Sequence, residues 1–234
     1  VVRAGAGYDN VDLEAATAAN VVVMNTPGQN ANAVAELALG MMVYYARNLF
    51  NGKPGTELKG KTLGLMAYGN VGKQVATIAG GFGMDVYGFD PFISPDTMKE
   101  VGVRPVENAG ELFRSSQYVS LHIPATEETK KSINYELLSK MPENAVLVNT
   151  ARKEVVCEDS LLKMFGERPD FGYVSDIAPG CREEIETRFG GRYYFTPKKM
   201  GAQTAEANIN AGLAAARQIV GFIEQGDTTF QVNK

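Results

Sequence analysis

Tryptophan is absent from this 234-residue chain, histidine occurs once, as His122, and cysteine twice, as Cys157 and Cys181. A single histidine removes every two-histidine metal site and leaves few ways to build a histidine-based triad. Two cysteines make neither a disulfide framework nor a four-thiolate zinc site, so no metal is expected. No apolar run approaches the roughly 18 residues of a membrane-spanning helix, and no basic segment leads into an apolar signal stretch. Positive charge is not in excess either: 23 Lys and Arg face 27 Asp and Glu, a net charge of −4. That balance argues against a nucleic-acid footprint or an electrostatic membrane patch. The cytoplasm is the expected compartment. With 44% hydrophobic and 21% charged residues, the chain can bury one large core or two modest ones.

Strand-like and helix-like stretches alternate through most of the chain. This rhythm predicts an α/β fold, a doubly wound parallel sheet with helices on both faces. The apolar run 62–67 (TLGLMA) reads as a buried strand. Residues 71–82 follow with Val71, Val75, Ile78 and Ala79 at helical spacing, before Gly81 and Gly83. Further strands are expected at 85–89, 118–121, 145–148, 171–176 and 193–196, and short helices at 107–113, 133–138 and 158–165. Residues 32–47 are apolar nearly all round, which predicts burial on several sides or at a subunit interface. Residues 204–224 repeat Ala and Ile at helical spacing and stop at Gly226. Both long helices lie outside the alternation, as parts of a second, incomplete domain would, and the polar stretch 51–61 connects them to the sheet. The chain opens on Val1-Val2-Arg3 without Met and runs straight into Ala4-Gly5-Ala6-Gly7, so sequence upstream is expected.

The strand at 62–67 leads into Ala67-Tyr68-Gly69-Asn70-Val71-Gly72 and then a helix. This is the Gly-x-Gly-x-x-Gly arrangement of a dinucleotide-binding turn, with Ala67 in place of the first glycine. Gly69 lets the backbone approach a pyrophosphate, Gly72 lets the helix pack on the strand, and the helix N-terminus offers N–H groups to phosphate. Alanine serves at position 67 if its φ stays negative. Asp90 ends the next strand about 20 residues on, where an acid binds the adenosine ribose hydroxyls. A structural turn with a surface Asp is the plainer alternative, and the strand–turn–helix–strand context disfavours it. The Asp90 carboxylate would face the 2′-phosphate of NADP, and like charges a few Å apart repel by about 1–4 kcal/mol in a partly wet site. Neither Phe89 nor Pro91 supplies a cation to offset this. NAD is the expected cofactor.

Several ordered motifs add to this turn: residues 3–12 (RAGAGYDNVD), 25–30 (NTPGQN), 34–36 (VAE), 149–152 (NTAR) and 201–207 (GAQTAEA). Together they resemble the D-2-hydroxyacid dehydrogenases, most closely the branch acting on 3-phospho-D-glycerate, over essentially the whole chain. The resemblance implies a Rossmann-like NAD-binding domain at 32–203 and the remnant of a flavodoxin-like substrate domain at 1–31. A C-terminal helix at 204–234 would return to that second domain. It also implies cofactor contacts at Ala6, Asn70, Val71, Asp90, Ile123, Thr150, Ala151 and Asp176, beside Gly69, Gly72 and Pro124. Asp176 would place a carboxylate near the nicotinamide, and His122 is read as structural or cofactor-lining. A homodimer is implied through the helix at 32–47.

The same resemblance implies a catalytic Arg, Glu and His. Arg152 matches the arginine, and its guanidinium fork suits bidentate binding of a 2-hydroxy-carboxylate. Gly5, Ala6 and Gly7 would present backbone N–H groups to the same carboxylate. The glutamate position falls on Cys181, a departure. Glu183 or Glu184 could slide into the role, but residues 178–184 read as an acidic, solvated turn. The histidine position falls on Lys199 when counted back from Gly201-Ala202 and on Lys198 when counted forward from Thr196-Pro197. Lys199 is preferred because the downstream match is longer. A lysine in a partly desolvated cleft has its pKa lowered from about 10.4 toward a useful range; two solvated loop lysines are the alternative. The implied small-molecule reaction is NAD-dependent oxidation of 3-phospho-D-glycerate to 3-phosphohydroxypyruvate, the first step of serine biosynthesis. Reduction of glyoxylate or hydroxypyruvate, and a non-catalytic NAD-sensing module, are the competing readings.

Overall fold

A computed structural model describes residues 1–233 of the chain. In chain order the elements are β1 (Val2–Arg3), α1 (Leu13–Ala18), β2 (Met24–Asn25), α2 (Ala31–Ala46), β3 (Thr62–Met66), α3 (Asn70–Gly81), β4 (Asp85–Phe89), α4 (Pro95–Lys99) and β5 (Arg104–Pro105). They continue with α5 (Ala109–Ser115), β6 (Tyr118–Leu121), α6 (Tyr135–Leu138), β7 (Val146–Asn149), α7 (Glu158–Glu167), β8 (Gly172–Ser175), α8 (Arg182–Arg188), β9 (Tyr193–Phe195) and α9 (Ala205–Gln225). The chain divides into two compact units, residues 1–34 with 201–234, and residues 35–200.

The larger unit is the doubly wound sheet. Seven strands, all parallel, run in the order β5-β4-β3-β6-β7-β8-β9, so the direction of winding reverses between β3 and β6. Side chains alternate across such a sheet, and both faces must be covered. Val146, Val148 and Val174 join one apolar cluster with α2 and α3, through residues such as Leu39, Met42, Val75 and Ala79. Ala145, Leu147 and Tyr173 join the other, with Leu112, Phe113, Leu161, Phe165 and Ile185 from α5, α7 and α8. The apolar run of residues 32–47 is thus explained in part within the chain: α2 buries Ala35, Ala38, Leu39, Met41, Met42 and Ala46.

Element boundaries follow local capping. Asn108 accepts from the Glu111 N–H at 2.9 Å, and the Glu111 carboxylate reaches back to the Glu107 N–H, so α5 starts at Ala109 rather than at 107. Asn134 accepts from the Leu137 N–H at 3.2 Å and starts α6 at Tyr135. Ile133, expected within that helix, instead bridges Val156 as extended chain. The expected acidic turn at 178–184 becomes α8 from Arg182. Its Arg182–Glu186 and Glu184–Arg188 pairs are four residues apart, with acids at the N-terminal end and Arg188 at the last turn.

The smaller unit joins both ends of the chain. β1 and β2 pair in parallel, and Met24 forms an antiparallel bridge with Gln231. Asn233 is the stitch: its Oδ1 accepts from the Val23 N–H at 2.9 Å, and its Nδ2 donates to Val21 O at 2.8 Å and Thr17 Oγ1 at 3.1 Å. Thr204 caps α9, and Gly226 closes it in the left-handed conformation at φ 67°. Among the described residues no helix is long and apolar enough to cross a membrane.

Candidate active site

In an all-parallel sheet every strand delivers its C-terminal residue to the same edge, and ligands bind there beside the reversal of winding. Gly69–Gly72, Asp90, Ile123, Pro124, Thr150–Arg152, Asp176 and the loop of Lys198 and Lys199 all follow strand ends of this one sheet. Gly5, Ala6 and Gly7 belong to the smaller unit. There the Gly5 carbonyl accepts from the Thr26 N–H at 3.0 Å, and the Ala6 carbonyl from Asn25 Nδ2 at 2.7 Å.

The turn after β3 is built for close approach. Gly69 is the N-cap of α3 and has no side chain with which to cap it, and a Cβ there would meet open space. The first N–H groups of α3 are left to an anion. A Cβ on Gly72 would lie 2.5 Å from the Ala67 carbonyl oxygen, so only glycine lets α3 pack this tightly. Ala67 corrects the sequence expectation: its φ is +81°, not negative. The chain needs that bend to leave β3 and still let Tyr68 reach Asp90, and alanine takes it under strain. Asp90 Oδ2 accepts from the Tyr68 N–H at 2.8 Å and Oδ1 from the Phe92 N–H at 2.9 Å. The acid is thereby fixed to the turn it serves, with acceptor capacity remaining for ribose hydroxyls.

Two buried polar atoms at this edge, His122 Nε2 and Thr150 Oγ1, have no hydrogen-bond partner. Such groups are open to the polar atoms of a ligand. With the Gly72 cradle, the uncapped α3 and the placed Asp90 carboxylate, they fit a dinucleotide. His122 lies behind Gly72, its ring 3.8 Å from where a Gly72 Cβ would be. Burial pushes its pKa down to about 4, so the imidazole is neutral at physiological pH. Ile123 is buried in the core cluster of α5 and α7, and Pro124 is exposed, its carbonyl accepting from Thr129 Oγ1 at 2.5 Å.

The other half of the edge is held by side chains. Asn149, buried at the end of β7, donates from Nδ2 to Arg152 O at 3.0 Å and accepts at Oδ1 from the Ala151 N–H at 2.9 Å. Arg152 folds back to donate from Nη1 to Ala151 O at 3.0 Å. Asp176 is buried, and its Oδ1 accepts from Thr196 Oγ1 at 3.0 Å and from the Met200 N–H at 2.7 Å. The expected carboxylate therefore holds the loop that carries Lys198 and Lys199. Both lysines are exposed, so the desolvated cleft expected around Lys199 is not supplied by its protein surroundings in this structure.

Position 181 cannot act as a carboxylate. Burial, reinforced by the charge of Glu158, pushes the Cys181 thiol up to about 11, which favours the neutral thiol at physiological pH. Glu158 reaches the same turn from α7, its Oε1 accepting from the Gly180 N–H at 2.5 Å. Glu184 pairs with Arg188, and Glu183 is exposed. Asn149, Thr196 and Glu158 had no assigned role in the sequence. Asn149 carried a signal, an amide ending a buried strand just before Arg152, and Thr196 served only as a landmark for counting. No cluster of metal-ligating side chains occurs among the described residues.

The sequence signature described as "D-isomer specific 2-hydroxyacid dehydrogenase, NAD binding domain" matches residues 43–186. The chain belongs to the D-isomer specific 2-hydroxyacid dehydrogenases, and NAD is the cofactor of this domain. Among solved structures it is similar to NAD⁺-bound 3-phosphoglycerate dehydrogenase of Entamoeba histolytica, with 49% identity and a TM-score of 0.92 over 100% of this chain and 74% of that one. D-3-phosphoglycerate dehydrogenase of Methanocaldococcus jannaschii is 34% identical over 235 residues, 93% of this chain and 44% of that protein. Hydroxypyruvate reductase of Thermotoga maritima is 35% identical over 238 residues, 94% of this chain and 76% of that protein. The chain thus spans less than half the length of the M. jannaschii relative.

Proposed function

We propose that the protein is an NAD-dependent D-2-hydroxyacid dehydrogenase that oxidises 3-phospho-D-glycerate to 3-phosphohydroxypyruvate, feeding serine biosynthesis in the cytoplasm. The observation that carries this reading is the 49% identity with a 3-phosphoglycerate dehydrogenase across the whole chain. Asp90 takes the adenosine ribose, the N-terminus of α3 takes the pyrophosphate, and Ile123, Pro124, Thr150 and Ala151 line the path toward the nicotinamide. When bound, NAD supplies the acceptor for the hydride that leaves C2 of the substrate. Arg152 binds the substrate carboxylate through its fork. Lys199 takes the hydroxyl proton as the C–H bond breaks. Reduction of hydroxypyruvate is the second reading, favoured by the match with the T. maritima enzyme. Steady-state assay with 3-phosphoglycerate, hydroxypyruvate and glyoxylate, against NAD and NADP, separates them: a phosphorylated substrate preferred at least tenfold supports the first. NAD binding without any hydride transfer would instead leave a non-catalytic module.

Residues 32–203 serve in this proposal as the cofactor domain, with 1–31 and 204–234 as parts of a substrate domain. Exposed Ile209, Leu213, Val220 and Ile223 on α9 support this, because an apolar face that size calls for further protein to cover it. α2 also presents Asn32, Glu36 and Gly40 outward, four residues apart, and a Cβ on Gly40 would meet open space. A two-fold homodimer through α2 is proposed on the family resemblance. Sedimentation as a monomer at micromolar concentration would contradict it.

A further inference from the structure

β7 and β8 are neighbours in register, with Asn149 opposite Ser175. Each strand ends in a buried polar side chain that is spent on a loop. The Asn149 amide is fully assigned: Oδ1 accepts from Ala151, while Nδ2 donates to Arg152 O and, at 3.2 Å, to the hydroxyl of Tyr173 in β8. An amide with all three partners in place cannot turn over, so the three-residue turn to Arg152 has one setting. Asp176 does the same for the next loop, gripping Thr196 and Met200 on either side of Lys198 and Lys199. The two anchors share an atom. The Asn149 carbonyl accepts from the Asp176 N–H at 2.9 Å and from Ser175 Oγ at 3.2 Å. A continuous chain of hydrogen bonds therefore runs from the Arg152 turn through Asn149 and Asp176 to the peptide that follows Lys199.

We propose that Asn149 and Asp176, with Thr196, are positioning residues: a brace across the ends of β7 and β8 that sets the distance between Arg152 and Lys199. The inference rests on the reading of Arg152 as the carboxylate clamp and Lys199 as the proton acceptor. A base must meet the hydroxyl of a substrate whose carboxylate is already held, and a misplacement of about 1 Å lowers turnover about a hundredfold. Neither strand needs a polar residue at its end for packing. Their expense in burial is offset only if the loops they hold must stand still.

Thr196→Val tests the brace, because it removes one hydroxyl of nearly the same shape. The intact protein should lose about tenfold to a hundredfold in kcat, with substrate KM and NAD affinity within about twofold. Amide exchange at Met200 should speed up about tenfold, and Thr196→Ser should restore both. Asn149→Asp, which removes both side-chain donors, should instead raise substrate KM about tenfold, because the loosened group is Arg152. Adding Thr196→Val to Lys199→Ala should lower kcat no further. The brace is overturned if Lys199→Ala is severe while Thr196→Val keeps wild-type kcat and Met200 exchange. It is also overturned if kcat and KM worsen together in step with a lowered Tm in both variants. An active Lys199→Ala would sink the reading of Lys199 instead, and the exchange measurement would still report on the brace by itself.

Discussion

At the β3–β4 end of the sheet the site is made of backbone, whereas at the β7–β9 end it is made of side chains. The first end works through what is missing: no Cβ on Gly69 or Gly72, no cap on α3, and one carboxylate, Asp90, tied to the turn. The second works through Asn149, Asp176 and Thr196, whose side chains hold the loops of Arg152 and of Lys198 and Lys199 by hydrogen bonds. A cofactor shared by many enzymes is met by main-chain groups that any sequence possesses. A particular substrate and a particular proton transfer need side chains held at a distance from one another. Loss of the adenosine and pyrophosphate contacts and loss of turnover should therefore separate when the two ends are altered.

The largest expected effect lies at the side-chain end. Lys199→Ala should cut turnover roughly 10²–10⁴-fold while calorimetric NAD affinity stays within about twofold. A severe loss in Lys198→Ala with a mild one in Lys199→Ala would move the acid/base role one residue back. At the backbone end, Asp90→Ala should weaken NAD about 10–100-fold, the worth of charge-assisted bonds to ribose. The same calorimetry should show NADP binding more weakly than NAD to the unaltered protein; equal affinities would break the assignment of Asp90.

Smaller effects sharpen the contrast through stability. His122 has a folded-state pKa of about 4, against about 6.5 when unfolded. Between those values the unfolded chain binds the extra proton, so stability is full above about pH 6.5 and declines toward pH 4. Unfolding free energies from urea titrations at pH 7 and pH 4.5 should differ by about 1–3 kcal/mol more for the wild type than for His122→Asn. The smallest effect belongs to Ala67. Its φ of +81° is relieved in Ala67→Gly, and the gain less the greater freedom of unfolded glycine leaves about 0.5 kcal/mol of added stability. A fall in Tm would show that the bend is not strained.

The two ends were also unequally legible in the sequence. Gly69, Gly72 and Asp90 stand out because their spacing is set by one strand, one turn and one strand, all local and periodic. The conformation of Ala67 did not follow, since a residue type gives a preference for φ and the turn overrode it. Counting narrowed the base to Lys198 or Lys199, but the Thr196–Asp176 bond joins residues 20 positions apart, and nothing in either segment announces it. α8 was hidden for another reason. Residues 182–188 (REEIETR) look like solvent-facing charge, and only Ile185, buried on the core side, shows that the charges flank a packed helix. α4 and β5 are too short to leave a period at all.

The rims of the sheet differ as well. β5 at one rim is two residues long and ends in Pro105, which has no N–H to offer. Arg104 beside it pairs with Asp85 at 3.1 Å and lies over the Tyr87 ring. An approaching strand would meet a proline and a fixed charge, the two commonest guards against edge-to-edge aggregation. β9 at the opposite rim is Tyr193-Tyr194-Phe195, aromatic and uncharged. If crowded or partly unfolded copies of this protein join into a continuous sheet, they do so through β9, and a lysine introduced there is the change that would keep them apart.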